Sequence, residues 1–460
     1  MLFPTFTFIL GFLPVTVIVY FLLAKGHSFA ARVWLIAMSL IFYSWFNWSY
    51  FFIIAGSIIG NHLFANMLYK KPSKWLLAAG IAANVALLGY FKYYDFMVEN
   101  LNAALGTSWT LKHILLPLGI SFFTFQQISF LQQVYERSLQ KRYSFSNYCL
   151  FVCFFPQLIA GPIVLPDEMM SQFDAPENNT PKAENISAGL YTFALGMAKK
   201  ILLADFFAEI ADSGFAGAGG EFFASLRTVL AYMFQIYFDF SGYCDMAIGI
   251  GLMFNIVLPV NFLAPYRSGN IQEFWRTWHI TLGRFLGQFV YRPLGGSRNG
   301  KVRTYLNLGI TFLVSGLWHG ANWMMILWGA LHGAAIIIHR IWSKELKFQM
   351  PKCLGVSVTF IFVWLAWIFF RAENMAQALK VFRGFGDFSA EKFAAIREKL
   401  DTNSLIIMAV ALGIIFFLPP ANSFKDKFKP QLWHLVTALV LIVCSVFCFN
   451  RISPFIYFNF

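Results

Sequence analysis

Residues 311–333 read TFLVSGLWHGANWMMILWGALHG. The stretch is apolar enough for a bilayer and carries no Asp, Glu, Lys or Arg, yet it sets His319 between Trp318 and Gly320. An imidazole in hydrocarbon needs a partner or a task. Its apolar character recurs along the whole chain. Runs able to cross a hydrocarbon core of roughly 30 Å occur near 3–24, 33–48, 50–68, 75–91, 113–132, 146–165, 186–207, 222–258, 303–318, 323–339, 354–370, 404–420 and 431–450. Of 460 residues, 58% are hydrophobic and only 12% charged, well below the charged share of a soluble domain. The sequence predicts an all-α polytopic membrane protein with roughly ten to thirteen membrane segments. It reads as one integral-membrane domain over 1–460, with no internal repeat.

The formal charge of +13, from 35 basic against 22 acidic residues, would point toward nucleic acid in a soluble protein. Here it fits basic loops retained on the cytoplasmic side, and no nucleic-acid partner is expected. Lys25 to Arg32, Lys70/Lys71/Lys74, Arg137/Lys141/Arg142 and Lys425/Lys427/Lys429 are assigned to the cytoplasm. That places the N-terminus outside and brings the last residues, RISPFIYFNF, to the outer face. The first segment lacks the charged n-region and cleavage site of a signal peptide and is read as retained. Two polar insertions, 173–185 and 386–402, are too small to be domains, and the second reads as a short amphipathic surface helix. The six cysteines read as packing residues. No HExxH and no Cys/His cluster at ligand spacing occurs, so no metal is expected.

Among the histidines, His27, His62, His113, His339 and His434 read as structural or interfacial, and His332 leans the same way. His279 lies in IQEFWRTWHITLGRFLGQFVYRPLGG, 271–296, which mixes Arg276, Arg284 and Arg292 with Trp275, Trp278, Phe285 and Phe289. Alone, that stretch reads as an interfacial helix with snorkelling arginines. WHG at 318–320 alone reads equally well as a packing site, with Gly316 and Gly320 giving a GxxxG approach. The residues by themselves leave both roles open.

The pair FWRTWH (274–279) and SGLWHGANWMMILWGALHG (315–333) resembles the membrane-bound O-acyltransferase (MBOAT) superfamily. Supporting motifs run through most of the chain: LGYFKYYDF (88–96), HILLPLGISFFTFQQISF (113–130), FFPQLIAGPI (154–163), YFDFSGYCDMAIGIG (237–251), FFRAEN (369–374) and SPFIYFNF (453–460). The likeness is to the bacterial branch that holds the membrane subunits of alginate and peptidoglycan O-acetylation and of teichoic acid D-alanylation.

The resemblance implies a helical membrane fold around a central tunnel, with His319 as the catalytic histidine and His279 as the second polar residue before it. A neutral imidazole is well matched as general base for O-acyl transfer. His279 would orient the thioester, polarise its carbonyl or protonate the departing thiolate. The tail implies Tyr457 as the hydroxyl that takes the acyl group, with Phe455, Phe458 and Phe460 anchoring it. The competing reading of Tyr457 is an aromatic-belt residue.

The implied donor is acetyl-CoA, whose phosphates would meet Lys199, Lys200 or Arg284. The implied partner is a periplasmic protein bearing an SGNH (serine-hydrolase-like) triad, and the implied setting is the lipid of the bacterial cell inner membrane. Alginate-type members continue the first motif with Leu-Arg-Asp-Tyr, whereas this chain has Leu286, Gly287, Gln288 and Phe289. The acceptor reading therefore leans to peptidoglycan. A secondary transporter is the alternative from another class, but the paired broken helices it requires are not visible in the sequence.

Overall fold

The computed structural model describes residues 1–217, 221–387, 402–421, 428–449 and 453–459. Lys425, Lys427 and most of the 386–402 insertion lie outside the described residues. Among those described there are helices and no strand. The first eight are α1 (Thr7–Ala24), α2 (Ser28–Ser44), α3 (Ser49–Lys70), α4 (Lys74–Leu105), α5 (Ile120–Glu136), α6 (Phe145–Cys153), α7 (Pro166–Asp174) and α8 (Ala183–Ala216). Then follow α9 (Phe222–Met253), α10 (Ile271–Thr277), α11 (Ile280–Leu286), α12 (Gly300–His319), α13 (Trp323–Glu345), α14 (Lys352–Arg371), α15 (Met375–Gly386), α16 (Thr402–Phe417) and α17 (Leu432–Phe447).

Helices α1, α3, α4, α8, α13 and α14 are long and apolar enough to cross a membrane, and α2, α16 and α17 are shorter apolar helices. Their outward residues include Leu10, Phe52, Trp75, Phe417 and Phe447. Water would not tolerate so much exposed apolar surface, and lipid covers it without cost. The protein is multi-pass.

The chain divides into two compact units, each assembled from separate stretches. The first takes Met1–Leu195, Tyr243–Pro259 and Lys425–Val440. Its centre is aromatic: Phe3, Phe8, Phe12, Phe42 and Phe155 meet with ring centroids 5.0 to 6.1 Å apart. Lipid supplies no hydrophobic drive between helices, so polar pairs help fix them. Asn61 on α3 and Asn84 on α4 exchange amide hydrogen bonds of 3.2 and 2.6 Å. Gln127 on α5 donates to Ser57 Oγ at 2.8 Å and accepts from Tyr148 Oη at 2.9 Å, joining α3, α5 and α6.

Two apolar runs do not form the spans that hydropathy alone predicts. In 113–132, Pro117 lacks an N–H and Gly119 turns with φ 68°, so α5 begins only at Ile120. A Cβ at position 119 would also meet the Leu158 carbonyl at 2.6 Å. Run 146–165 breaks after Cys153 into a short helical turn, Phe155–Leu158, and an extended stretch. Its residues are almost all buried in protein, where irregular backbone at membrane depth is tolerated.

The second unit takes Gly196–Gly242, Val260–Phe424 and Leu441–Phe460. Run 222–258, long enough for two segments, is instead one helix of 32 residues, α9, whose N-terminal part lies in this unit. Helices α12 and α13 form a hairpin with close backbone contact: a Cβ on Gly316 would lie 2.3 Å from the Met325 carbonyl, and one on Gly329 would lie 2.4 Å from that of Phe312. Gly316 thus pairs with Gly329 across the hairpin. Gly320, expected to share that role, faces only the flexible Met325 side chain and Asn322.

Candidate active site

The hairpin sets the first histidine. His319 is the last residue of α12, and the chain turns at once into α13, whose first turn is capped by Asn322 Oδ1 accepting from Met325 N–H at 2.9 Å. His319 is buried, 1% exposed. Its ring meets Trp318, Trp328 and Phe370 at 5.0, 5.1 and 5.2 Å, a wall of aromatic edges and faces.

His279 is placed by a break. Residues 271–296 were expected to form one amphipathic helix, but α10 stops at Thr277 and α11 starts at Ile280. Between them His279 adopts φ 45° and ψ 51°, a left-handed conformation that costs an ordinary side chain about 1–2 kcal/mol. What holds it is Asn261. Its backbone carbonyl accepts from Ile280 N–H at 3.0 Å. Its side-chain Oδ1 accepts from Thr281 N–H at 3.1 Å and Thr281 Oγ at 2.9 Å, and lies 3.2 Å from His279 Nδ1.

An amide oxygen can only accept, so the proton of a neutral His279 sits on Nδ1. Nε2 is then the acceptor nitrogen, and it has no hydrogen-bond partner among the described residues. The sequence reading missed Asn261. Its one signal is an amide residue in the apolar run IVLPVNFLAP, 256–265.

The tail completes the constellation. Tyr457 lies in a single helical turn, Ile456–Asn459, and is 8% exposed. Its ring packs on Phe240 at 4.3 Å and on Phe455 at 5.6 Å. It stands 5.7 Å from His319 and 6.4 Å from His279, and the two imidazoles are 6.3 Å apart. All three residues named from the sequence therefore meet at one buried point. A belt residue would sit at the lipid surface, which Tyr457 does not. Phe455 is buried beside it as expected, whereas Phe460 and the side chain of Phe458 lie outside the described residues.

The basic residues expected to meet donor phosphates part ways. Lys200, proposed to meet donor phosphates, is buried and ion-paired to Asp205 at 2.6 Å and to Asp239 at 2.7 Å. Its charge is already committed to carboxylates, so the phosphate role is withdrawn. Arg284 instead lines an open cleft of about 440 Å³ with Arg276, Arg340, Trp275, Tyr291 and Ser315. Ser315 lies one helical turn before His319 on α12. Three guanidiniums among apolar lining residues can hold an anionic group such as a phosphate.

From sequence, His332 leans to a structural reading. It is buried and accepts from Trp275 Nε1 at 3.2 Å through Nδ1, tying α10 to α13. His62 and His434 pack against aromatic neighbours. All six cysteines are free thiols.

Comparison with known proteins places this geometry. The model of the MBOAT, membrane-bound O-acyltransferase family, matches residues 40–377, a span that holds both histidines. A peptidoglycan O-acetyltransferase of Helicobacter pylori is 41% identical, with 100% of this chain and 98% of that protein aligned. A probable alginate O-acetylase AlgI of Pseudomonas putida is 35% identical over 100% of both chains. A teichoic acid D-alanyltransferase of Streptococcus thermophilus is 25% identical over 55% of this chain and 68% of its own.

Proposed function

The chain belongs to the membrane-bound O-acyltransferase family, and on that premise we propose that it moves acetyl groups across the bacterial cell inner membrane for O-acetylation of peptidoglycan. It is an acyltransferase. In this reading the donor is acetyl-CoA on the cytoplasmic side, docked by its phosphates at Arg276, Arg284 and Arg340. The observation that carries the proposal is the meeting of His279, His319 and Tyr457, whose rings all lie within 6.4 Å of one another.

In the first half-reaction Tyr457 Oη attacks the thioester carbonyl as its proton passes to His319, the general base. The C–S bond breaks, and the sulfur leaves as a thiol once it takes up a proton. His279 is the second acceptor, through which that proton reaches the sulfur. Carbonyl polarisation by a neutral His279 would need a proton on Nε2, which the bond to Asn261 opposes. In the second half-reaction a hydroxyl of the periplasmic SGNH partner attacks the tyrosyl ester, takes the acetyl and restores the Tyr457 hydroxyl. The partner then esterifies the polysaccharide.

Peptidoglycan is favoured as acceptor over alginate because the peptidoglycan O-acetyltransferase relative is the more similar, 41% against 35%, each across this whole chain. Gly287 and Gln288 in place of the alginate-type Arg-Asp pair agree. The test is His319→Ala in the native host, read as base-released acetate from purified peptidoglycan alongside chain abundance in membranes. Acetate should vanish at unchanged abundance. Near-normal acetate, or loss from another polysaccharide alone, would overturn the base assignment or the acceptor respectively.

A further inference from the structure

We propose that Lys200, Asp205 and Asp239 form a buried clamp that docks the chain's own tail and so sets the position of Tyr457, a positioning role that rests on the tyrosine relay above. Three features of the second unit carry the inference. Lys200, on a π-helical turn of α8, is 4% exposed, and Asp205 and Asp239 are 1% and 2% exposed. One ammonium thus faces two carboxylates in the protein interior, leaving negative charge in excess.

The tail supplies the missing donors. Ser453 Oγ donates to Asp205 Oδ1 at 2.5 Å and accepts from Lys200 Nζ at 3.0 Å. Ile456 N–H donates to Asp239 Oδ2 at 2.8 Å. Each carboxylate gains one tail donor, and neither bond depends on an apolar side chain.

The register follows from those contacts. Ser453 and Ile456 are pinned to charged groups, and the next residue is Tyr457. Asp239 holds the backbone while its neighbour Phe240 packs on the Tyr457 ring at 4.3 Å. A tail held by aromatic burial alone could slide by a residue and still bury a ring. A tail held at two hydrogen-bonding points cannot, because a shift leaves buried carboxylates short of donors. Breaking a buried ion cluster is costly, which lets such a cluster select one arrangement over its neighbours. Here the arrangement specified is which tail residue faces the two histidines.

The test uses the full chain purified in detergent, without acetyl donor, digested by a carboxypeptidase and followed by intact mass. In the wild type, trimming should stall before Tyr457 is lost. In Ser453→Ala and Asp239→Asn, loss of residues past Tyr457 should speed up at least about 10-fold, as expected for losing one charge-assisted bond from a docked segment. Ser453→Thr keeps the hydroxyl and should behave as wild type. Ser453→Ala alters only the tail, so misfolding of the body does not explain its effect.

Equal trimming in wild type, Ser453→Ala and Asp239→Asn overturns the clamp. So does a wild-type tail removed as fast as a free peptide. The same samples given acetyl-CoA separate the two readings: no acetyl on wild-type Tyr457 with a protected tail defeats the relay and leaves the clamp standing. Full acetylation with unchanged protection in both variants defeats the clamp and leaves the relay.

Discussion

Replacing Asn261 by Leu tests how His279 is held. The side chains are close in size, so the change removes hydrogen bonding with little change in packing. Three contacts at Oδ1 are lost, to His279 Nδ1 at 3.2 Å, Thr281 N–H at 3.1 Å and Thr281 Oγ at 2.9 Å. At about 1 kcal/mol net each, this removes about 3 kcal/mol from the conformation that keeps His279 left-handed. The strain there, about 1–2 kcal/mol, is then opposed only by the Ile280 N–H bond to the residue 261 backbone carbonyl, and the break between α10 and α11 loosens.

A loss of about 3 kcal/mol corresponds to about 100-fold less of the productive arrangement. Peptidoglycan acetate should fall by that factor while the chain remains in the membrane. Asn261→Asp keeps every acceptor and should retain far more activity. The assay is base-released acetate normalised to immunoblotted chain. Activity of Asn261→Leu within about threefold of wild type, less than 1 kcal/mol, would refute the idea that Asn261 sets His279.

Other substitutions probe the remaining parts. His279→Asn and His279→Leu should lose acetate release to a similar extent, since neither side chain can carry a proton to the sulfur, and a clearly milder Asn variant would count against that role. Gly316→Val puts atoms 2.3 Å from the Met325 carbonyl and should sharply lower monodisperse chain in detergent. Gly320→Ala meets the flexible Met325 side chain and, at 3.3 Å, Asn322 Nδ2, side-chain atoms rather than backbone, so it should be tolerated far better. Arg276→Gln, Arg284→Gln and Arg340→Gln should each raise the acetyl-CoA concentration for half-maximal transfer, by about 10-fold at low salt and less at high salt. Unchanged donor dependence in all three would move the donor site elsewhere.

Hydropathy made the membrane class and most helices legible, because a span must satisfy its own backbone and shows this as uninterrupted apolar sequence. Hydropathy misread 113–132 and amphipathic patterning misread 271–296, where Gly119 and His279 take left-handed backbone that neither pattern reports. His279, His319 and Tyr457 were legible as motifs. Their supports were not, because those partners are far apart in sequence: Asn261 for His279, and Lys200 with Asp239 for Ser453 and Ile456. Asp205 and Asp239 did leave a trace, as carboxylates in the largely apolar stretches KKILLADFF and YFDFSGYCD. An acid in an apolar run asks for a cation, and Lys200 was assigned to phosphates instead of to them.

The central claim is that acetyl rests on Tyr457. Tyr457→Phe keeps the ring packed on Phe240 at 4.3 Å and removes only the nucleophile. The most direct measurement is mass analysis of the C-terminal peptide from purified chain given acetyl-CoA without its outer partner. The account predicts one added acetyl in wild type, absent from Tyr457→Phe and from His319→Ala. Wild-type transfer by Tyr457→Phe, or an acetyl group found only on another residue, would contradict it.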